Sequence, residues 1–397
     1  MVRTYRKLCA GLFAVKNAFR KGKDIMMKWI EQAGGRTSIA AAVAPVIRAL
    51  SKNEQYPLVR FSAGEDASAE HGVIKIDTTP VSDLSTLCSL LASSLTPGHN
   101  AKKIIVSGLG SFTLTAPGTN SSGQRLLGKI SLVTGGAQGF GEGIARELAA
   151  AGAHVVIADL NLPQAEVVAA SLNTEYGPAA AVALAVDVGQ ETSVQTLMEN
   201  IVLLFGGLDL LVSNAGVLRA GGLEEMSLSN FEFVTKINYT AFFLVAKYGS
   251  RPMKIQARYS SSYYSDIVQV NSKSGLEGSN RNFAYAGGKF GGIGLVQSFA
   301  KELVEDRIKV NAVCPGNYYE GPLWSDPEKG LFVQYLNTGK VPGAKTVQEV
   351  YDFYVGKVPM RRGCSPTDVT RAITYCVEQL YETGQAIPVT GGQNMLN

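Results

Sequence analysis

A buried-looking apolar run, Lys129-Ile-Ser-Leu-Val133, passes directly into Thr134-Gly-Gly-Ala-Gln-Gly-Phe-Gly-Glu-Gly143, after which a helical pattern continues over Glu142–Ala151. Few folds use that punctuation. A continuous apolar run suits a strand covered on both faces, and glycines crowd a turn where backbone must pass close to something else. The same rhythm repeats downstream. Apolar runs at Val155–Ala158, Ala181–Val186, Leu208–Ser213, Ile267–Asn271, Lys309–Val313 and Ala386–Val389 alternate with helical stretches. Such alternation predicts an α/β domain with a doubly wound parallel sheet and helices on both faces.

The chain has 397 residues, which suits two domains. The Pro/Gly/Ser-rich stretch at 116–124 reads as a linker. We therefore divide the sequence into a small α/β domain at 1–115, a linker at 116–127 and a larger domain at 128–397. In the first domain, helices are expected near 5–33, 36–51 and 81–95, and strands at Leu58–Phe61, Val73–Asp77 and Lys103–Val106. Net charge is +4 with no long basic run, which argues against nucleic acid as a partner but allows a pocket for an anionic small molecule. Cys9, Cys88, Cys314, Cys364 and Cys376 are scattered and odd in number, the usage of a reduced cytoplasmic protein rather than of a disulfide framework or zinc site. Met1–Val15 imitates a signal peptide only faintly, because its apolar part is short and Lys16, Arg20, Lys21 and Lys23 follow; an amphipathic first helix fits better. No segment has the apolar length of a membrane span.

The strand–turn–helix context of Gly135, Gln138, Gly139, Phe140 and Gly141 suits a dinucleotide, whose pyrophosphate would rest on the helix N-terminus. Asp159 closes the second strand. A carboxylate there accepts bonds from the adenosine ribose hydroxyls and repels a 2′-phosphate, and the glycine turn holds no Lys or Arg to favour that phosphate. NAD is therefore the expected cofactor, with an ordinary solvated Asp as the bland alternative. Asp187-Val188 after the third strand would lie near adenine, and Asn214-Ala215-Gly216 after the fourth would lie beside the cofactor.

Tyr285 and Lys289 are four residues apart, on one face of a helix, with Ser272 thirteen residues before the tyrosine. An ammonium and an oxidised nicotinamide would both favour the phenolate and lower the tyrosine pKa from about 10. Tyr285 would then exchange the alcohol proton, Ser272 would hold the substrate oxygen, Lys289 would hold the nicotinamide ribose, and Asn238 would order a water for proton relay. Each of these residues has a bland reading as cap, turn or helix surface; their joint order argues otherwise. Lys273 and Arg281 flank this set and are the candidate phosphate cations, with Arg361 and Arg362 farther along. Gly287, Gly288, Gly291, Gly292 and Gly294 crowd the same helix, which implies close packing against it.

Taken together, Thr134–Gly141, Asp159, Asp187, Asn214–Gly216, Asn238, Ser272, Tyr285, Lys289, Asn311-Ala-Val-Cys-Pro-Gly316 and Val389-Thr-Gly-Gly392 resemble the short-chain dehydrogenase/reductase family over about 128–397. That resemblance implies a Rossmann-like fold, a nicotinamide cofactor (with Pro315 and Gly316 among its contacts), metal-free chemistry and a homo-oligomer, often a tetramer. Gln269–Gly275, Lys289–Leu295, Lys357–Cys364 and Gly391–Met395 look like the sorbitol-6-phosphate 2-dehydrogenases within it. The sequence departs from the family pattern at Ser213, at Glu320-Gly321 and in a longer, Tyr/Ser-rich 254–266. Leu95–His99 and Ile104–Phe112 resemble the end of a class II aldolase-like domain, though His71, His99 and His154 are too few for its metal cluster. The alternatives are a dehydrogenase for a neutral polyol, a hydroxysteroid-like alcohol or an acyl ketone, and a non-catalytic nucleotide-binding scaffold.

Overall fold

A computed structural model describes residues 35–53, 55–65, 71–78, 83–96, 98–117, 124–337 and 339–395. The helix expected near 5–33 and the centre of the expected linker lie outside the described residues. The chain divides into two compact units, residues 1–115 with 202–206, and 116–201 with 207–397.

In the first unit, α1 (Arg36–Leu50), β1 (Leu58–Ser62), β2 (Val73–Ile76), α2 (Leu84–Ser94), β3 (Lys103–Val106) and β4 (Gly110–Thr115) follow in order. The sheet runs β1-β4-β3-β2, with β2 parallel to β3 and the other pairs antiparallel. Strand β4 is absent from the sequence expectations. Its Ser-Phe-Thr-Leu-Thr run is short, and only pairing on both sides, Phe112 opposite both Phe61 and Ile104, identifies it. The ring of His99 is tied to the fold, with Nε2 at 3.0 Å from Ser51 Oγ and Nδ1 accepting Ala101 N–H.

The second unit alternates as its apolar runs require: β5 (Ile130–Thr134), α3 (Gly139–Ala150), β6 (His154–Asp159), α4 (Leu162–Tyr176), β7 (Ala181–Ala185), α5 (Glu191–Phe205), β8 (Leu210–Ser213), α6 (Leu228–Thr235), α7 (Ala241–Tyr259), β9 (Ser265–Val270), α8 (Phe283–Leu303), β10 (Ile308–Pro315), α9 (Pro322–Ser325), α10 (Leu331–Asn337), α11 (Val347–Gly356), α12 (Pro366–Glu378) and β11 (Ala386–Val389). All pairs in the sheet β11-β10-β9-β8-β5-β6-β7 are parallel. The order reverses between β5 and β8, and a crevice opens beyond their carboxyl ends, where such sheets bind ligands. Helix α3 begins three residues earlier than expected, because the glycines of the turn already enter its first turn, whose N–H groups have no intrahelical acceptors.

The main core packs α3, α4 and α12 on the sheet through Ile144, Leu148, Val168, Leu172, Val369 and Ile373. A separate aromatic block, built on Tyr319, Trp324, Phe332 and Val350, gathers α9, α10 and α11. Among the described residues, no helix is long and apolar enough to cross a membrane. Cys314, Cys364 and Cys376 are buried thiols outside any disulfide.

Candidate active site

The glycine turn follows β5 into the crevice. Gly135 and Gly139 have φ of +64° and +60°, which side chains rarely tolerate. A Cβ on Gly141 would stand 1.9 Å from Gly135 O and 2.6 Å from Asn214 Nδ2. Asn214 explains this crowding. Its Nδ2 donates to the carbonyls of Thr134 and Gly135, both at 3.0 Å, while Asn214 N and Ala215 N donate to Thr134 Oγ1 at 3.0 and 3.2 Å. These four bonds lash β5 to β8 at the switch point. The bare backbone they leave, ending at the α3 N-terminus, fits a pyrophosphate.

Gln138 is exposed at the N-cap of α3, and the partly buried Phe140 ring lies 5.0 Å from that of Tyr318. Asp159 sits at the end of β6. Its Oδ2 accepts from Ala137 N at 3.0 Å and its Oδ1 from Asn161 N at 2.9 Å, which fixes the carboxylate beside the turn with lone pairs still available. Asp187 Oδ1 accepts from Gly189 N, and Val188 is buried behind it. A nucleotide's adenosine end would meet Asp159 and Asp187 in turn.

The expected catalytic set converges. Ser272 follows β9, and its Oγ accepts from Ser274 N at 3.1 Å. Tyr285 and Lys289 share a face of α8, with Lys289 Nζ 5.6 Å from the Tyr285 ring centroid and donating to Val270 O at 2.9 Å. From sequence, the lysine is expected to pull the phenol down. In the chain by itself burial wins, pushing Tyr285 above the ordinary tyrosine value; the Ser272 hydroxyl hydrogen-bonds the phenol and opposes that rise, and the Cys314 thiol adds slightly to it. Burial also lowers Lys289 to about 8 and pushes Cys314 up to about 12. Lowering the phenol would therefore fall to the charge of an oxidised nicotinamide.

Asn238 is buried in a wide, π-type turn, Lys236–Thr240, between α6 and α7. Its Oδ1 accepts from Val217 N at 3.0 Å and its Nδ2 donates to Val217 O at 2.7 Å. The side chain thus braces the loop after β8 at Val217. Asn271 escaped the sequence reasoning. Buried next to Ser272, it accepts from Ser272 N at 2.8 Å and donates to Lys289 O at 2.9 Å, joining two members of the set. A polar residue ending an apolar strand was the available signal. Gly291 and Gly292 on α8 are explained by contact, since Cβ atoms there would lie 2.8 Å from Tyr239 and 2.5 Å from Gln269, whereas Gly287 and Gly294 face open space.

Pro315 ends β10, and Gly316 N donates to Val389 O. A cavity of about 420 Å³ opens there, lined by Gly316, Asn317, Met360, Cys364 and Thr390, but Ser272, Tyr285 and Lys289 do not line it. Three of the four expected phosphate cations are already engaged. Arg281 pairs with Glu225, Arg361 Nη1 donates to Gly356 O at 2.6 Å, and Arg362 forms a two-pronged pair with Asp368 at 2.5 and 2.9 Å. Lys273 makes no ion pair among the described residues.

Residues 129–324 match the family model for short chain dehydrogenases. Sorbitol-6-phosphate 2-dehydrogenase of Escherichia coli (strain K12) is 36% identical over 274 residues, covering 68% of this chain and 100% of that protein. The 3-oxoacyl-acyl-carrier-protein reductase FabG of Aquifex aeolicus (strain VF5) is 33% identical over 270 residues, covering 68% and 98%. The crystal structure of sorbitol-6-phosphate 2-dehydrogenase SrlD from Erwinia amylovora matches with a TM-score of 0.62 at 36% identity, covering 67% of this chain and 100% of that one.

Proposed function

Because the chain belongs to the short-chain dehydrogenase family, whose members use a nicotinamide cofactor, we propose that it interconverts a secondary alcohol and a ketone of a sugar phosphate or polyol with NAD, sorbitol 6-phosphate and fructose 6-phosphate being the best-supported pair. The observation that carries this reading is the convergence of Ser272, Tyr285 and Lys289 on one side of a glycine-turn crevice. A pure nucleotide-binding scaffold has no need of that set.

When bound, the nicotinamide supplies the hydride acceptor or donor. The chain supplies the rest. Gly135, Gly139, Gly141 and the α3 N-terminus hold the pyrophosphate, and Asp159 takes the ribose hydroxyls, disfavouring a 2′-phosphate. Ser272 Oγ hydrogen-bonds the substrate oxygen, and the Tyr285 hydroxyl accepts its proton during oxidation and returns it during reduction. Lys289 would hold the nicotinamide ribose, and Asn271 keeps the serine and lysine in register. Asn214 and Asn238 position backbone.

An acyl ketone is the second reading, favoured by the 33% identical reductase. We also propose a cytoplasmic homo-oligomer, in keeping with Phe243 on α7 and Phe290 on α8, which are 41% and 46% exposed. NADH formation across sorbitol 6-phosphate, sorbitol, a 3-hydroxyacyl thioester and a hydroxysteroid tests the proposal. The phosphorylated polyol should give the highest kcat/KM, and a clear preference for any of the others would replace it.

A further inference from the structure

Lys273 directly follows Ser272, and Lys340 and Lys357 stand on the aromatic block. Lys340 Nζ lies 3.9 Å from the Tyr335 ring centroid and Lys357 Nζ lies 5.3 Å from that of Tyr354. Lys357 Nζ is closer still to the Phe353 ring, at 4.1 Å, and the Tyr335 and Tyr354 centroids are 5.4 Å apart, so both ammonium groups rest on adjoining rings. The turn after Lys357 docks on the C-terminal loop through Met360 N–H to Gly391 O, at 3.1 Å. The turn that bears Lys273 is tied to the same loop, with Asn394 Nδ2 donating to Glu277 Oε2 at 2.6 Å. Lys273, immediately after Ser272, is thereby brought toward Lys357.

Like charges gathered in this way repel. Lys273 and Lys340 are both held below the ordinary lysine value, by burial first, with Lys357 adding to the depression of each. Glu277 acts on Lys273 in the opposite direction, and Arg281, itself paired with Glu225, also weighs on Lys340. Among the described residues, none of the three lysines makes an ion pair within 4.0 Å. A dianion bound between them would relieve the repulsion, which Glu277 offsets at Lys273.

We propose that Lys273, Lys340 and Lys357 form the subsite for the phosphate of a phosphomonoester substrate, holding it while the carbonyl end reaches Ser272 and Tyr285. This rests on the dehydrogenase reading above and replaces the arginines that sequence proximity suggests.

The test is NADH-dependent reduction of fructose 6-phosphate and of fructose by wild type, Lys340→Ala, Lys357→Ala and Lys357→Arg, alongside calorimetric binding of inorganic phosphate to the NADH-loaded protein. Each alanine variant should raise KM for fructose 6-phosphate roughly 10- to 100-fold, the range for a lost charged hydrogen bond, and KM for fructose much less. Lys357→Arg should restore most of the loss. Equal losses on both sugars would make the lysines props of the aromatic block and overturn the subsite, as would no loss on either. If wild type reduces neither sugar but inorganic phosphate binds and Lys357→Ala weakens that binding about tenfold or more, the subsite stands and the polyol reading falls.

Discussion

Replacing Gly141 by Ala should disable cofactor binding while leaving the fold in place. The added methyl would sit 1.9 Å from Gly135 O and 2.6 Å from Asn214 Nδ2, whereas ordinary contact begins near 3.4 Å, so the glycine-turn carbonyl must retreat by about 1.5 Å. Both obstructing atoms belong to the β5–β8 lashing, and neither is the loose end of a flexible side chain. Overpacking of this kind costs about 1–3 kcal/mol. If the strain falls on the binding-competent turn, the dissociation constant of NADH rises roughly 5- to 150-fold. Gly294→Ala on α8 is the control, because nothing lies within 4 Å of its added methyl. It should gain up to about 1 kcal/mol from helix propensity and leave NADH affinity alone. Fluorescence titration with NADH, paired with urea unfolding of each variant, measures both terms. If Gly141→Ala binds NADH within about twofold of wild type while folding normally, the crowding argument is wrong.

Tyr285→Phe should lower kcat by about 10²- to 10⁴-fold while NADH binding, read by fluorescence, stays near wild type; near-normal turnover would remove the phenol from the mechanism. Asp159→Ala should narrow the preference for NAD over NADP in kcat/KM, and a wild-type preference for NADP would refute the role given to that carboxylate. Lys289 has a folded-state pKa of about 8 against an unfolded value of 10.5, so the native chain binds fewer protons between those values and gains stability from this group as pH rises through that window. The gain amounts to about 3 kcal/mol across it. Lys289→Met should lack that rise, so wild type should gain on the variant between pH 8 and 10.5 in paired urea melts; parallel curves would contradict the depressed pKa.

The parallel sheet was legible because its strands are apolar runs covered on both faces and its glycine turn admits few alternatives. The Ser272, Tyr285 and Lys289 convergence was legible too, since strand end and helix face fix it locally. Contacts made across long stretches of sequence were not. Nothing near Arg281 in the chain announces Glu225, and nothing near Arg362 announces that Asp368 would take both its prongs. Lys340 belongs to no motif, Lys357 opens a stretch notable in sequence only for its family resemblance, and the contact between the Tyr335 and Tyr354 rings brings the two together. The direction of the Tyr285 shift was missed for a related reason. Spacing puts an ammonium near the phenol, but the shift is set by desolvation, opposed by the Ser272 hydrogen bond, and that desolvation depends on everything packed around the ring.

The lashing of Thr134 to Asn214 also makes the two sides of the crevice unlike. With four hydrogen bonds joining the strand ends, parting β5 from β8 would strand several buried polar groups at once. The opposite wall is built differently. Tyr318 meets Phe140, Pro322 comes near Gly139, and behind them stands an aromatic block with a small core of its own. The floor of the crevice is thus an anvil held by directional hydrogen bonds, whereas the wall facing it meets the glycine turn through ring and methylene contacts backed by that block.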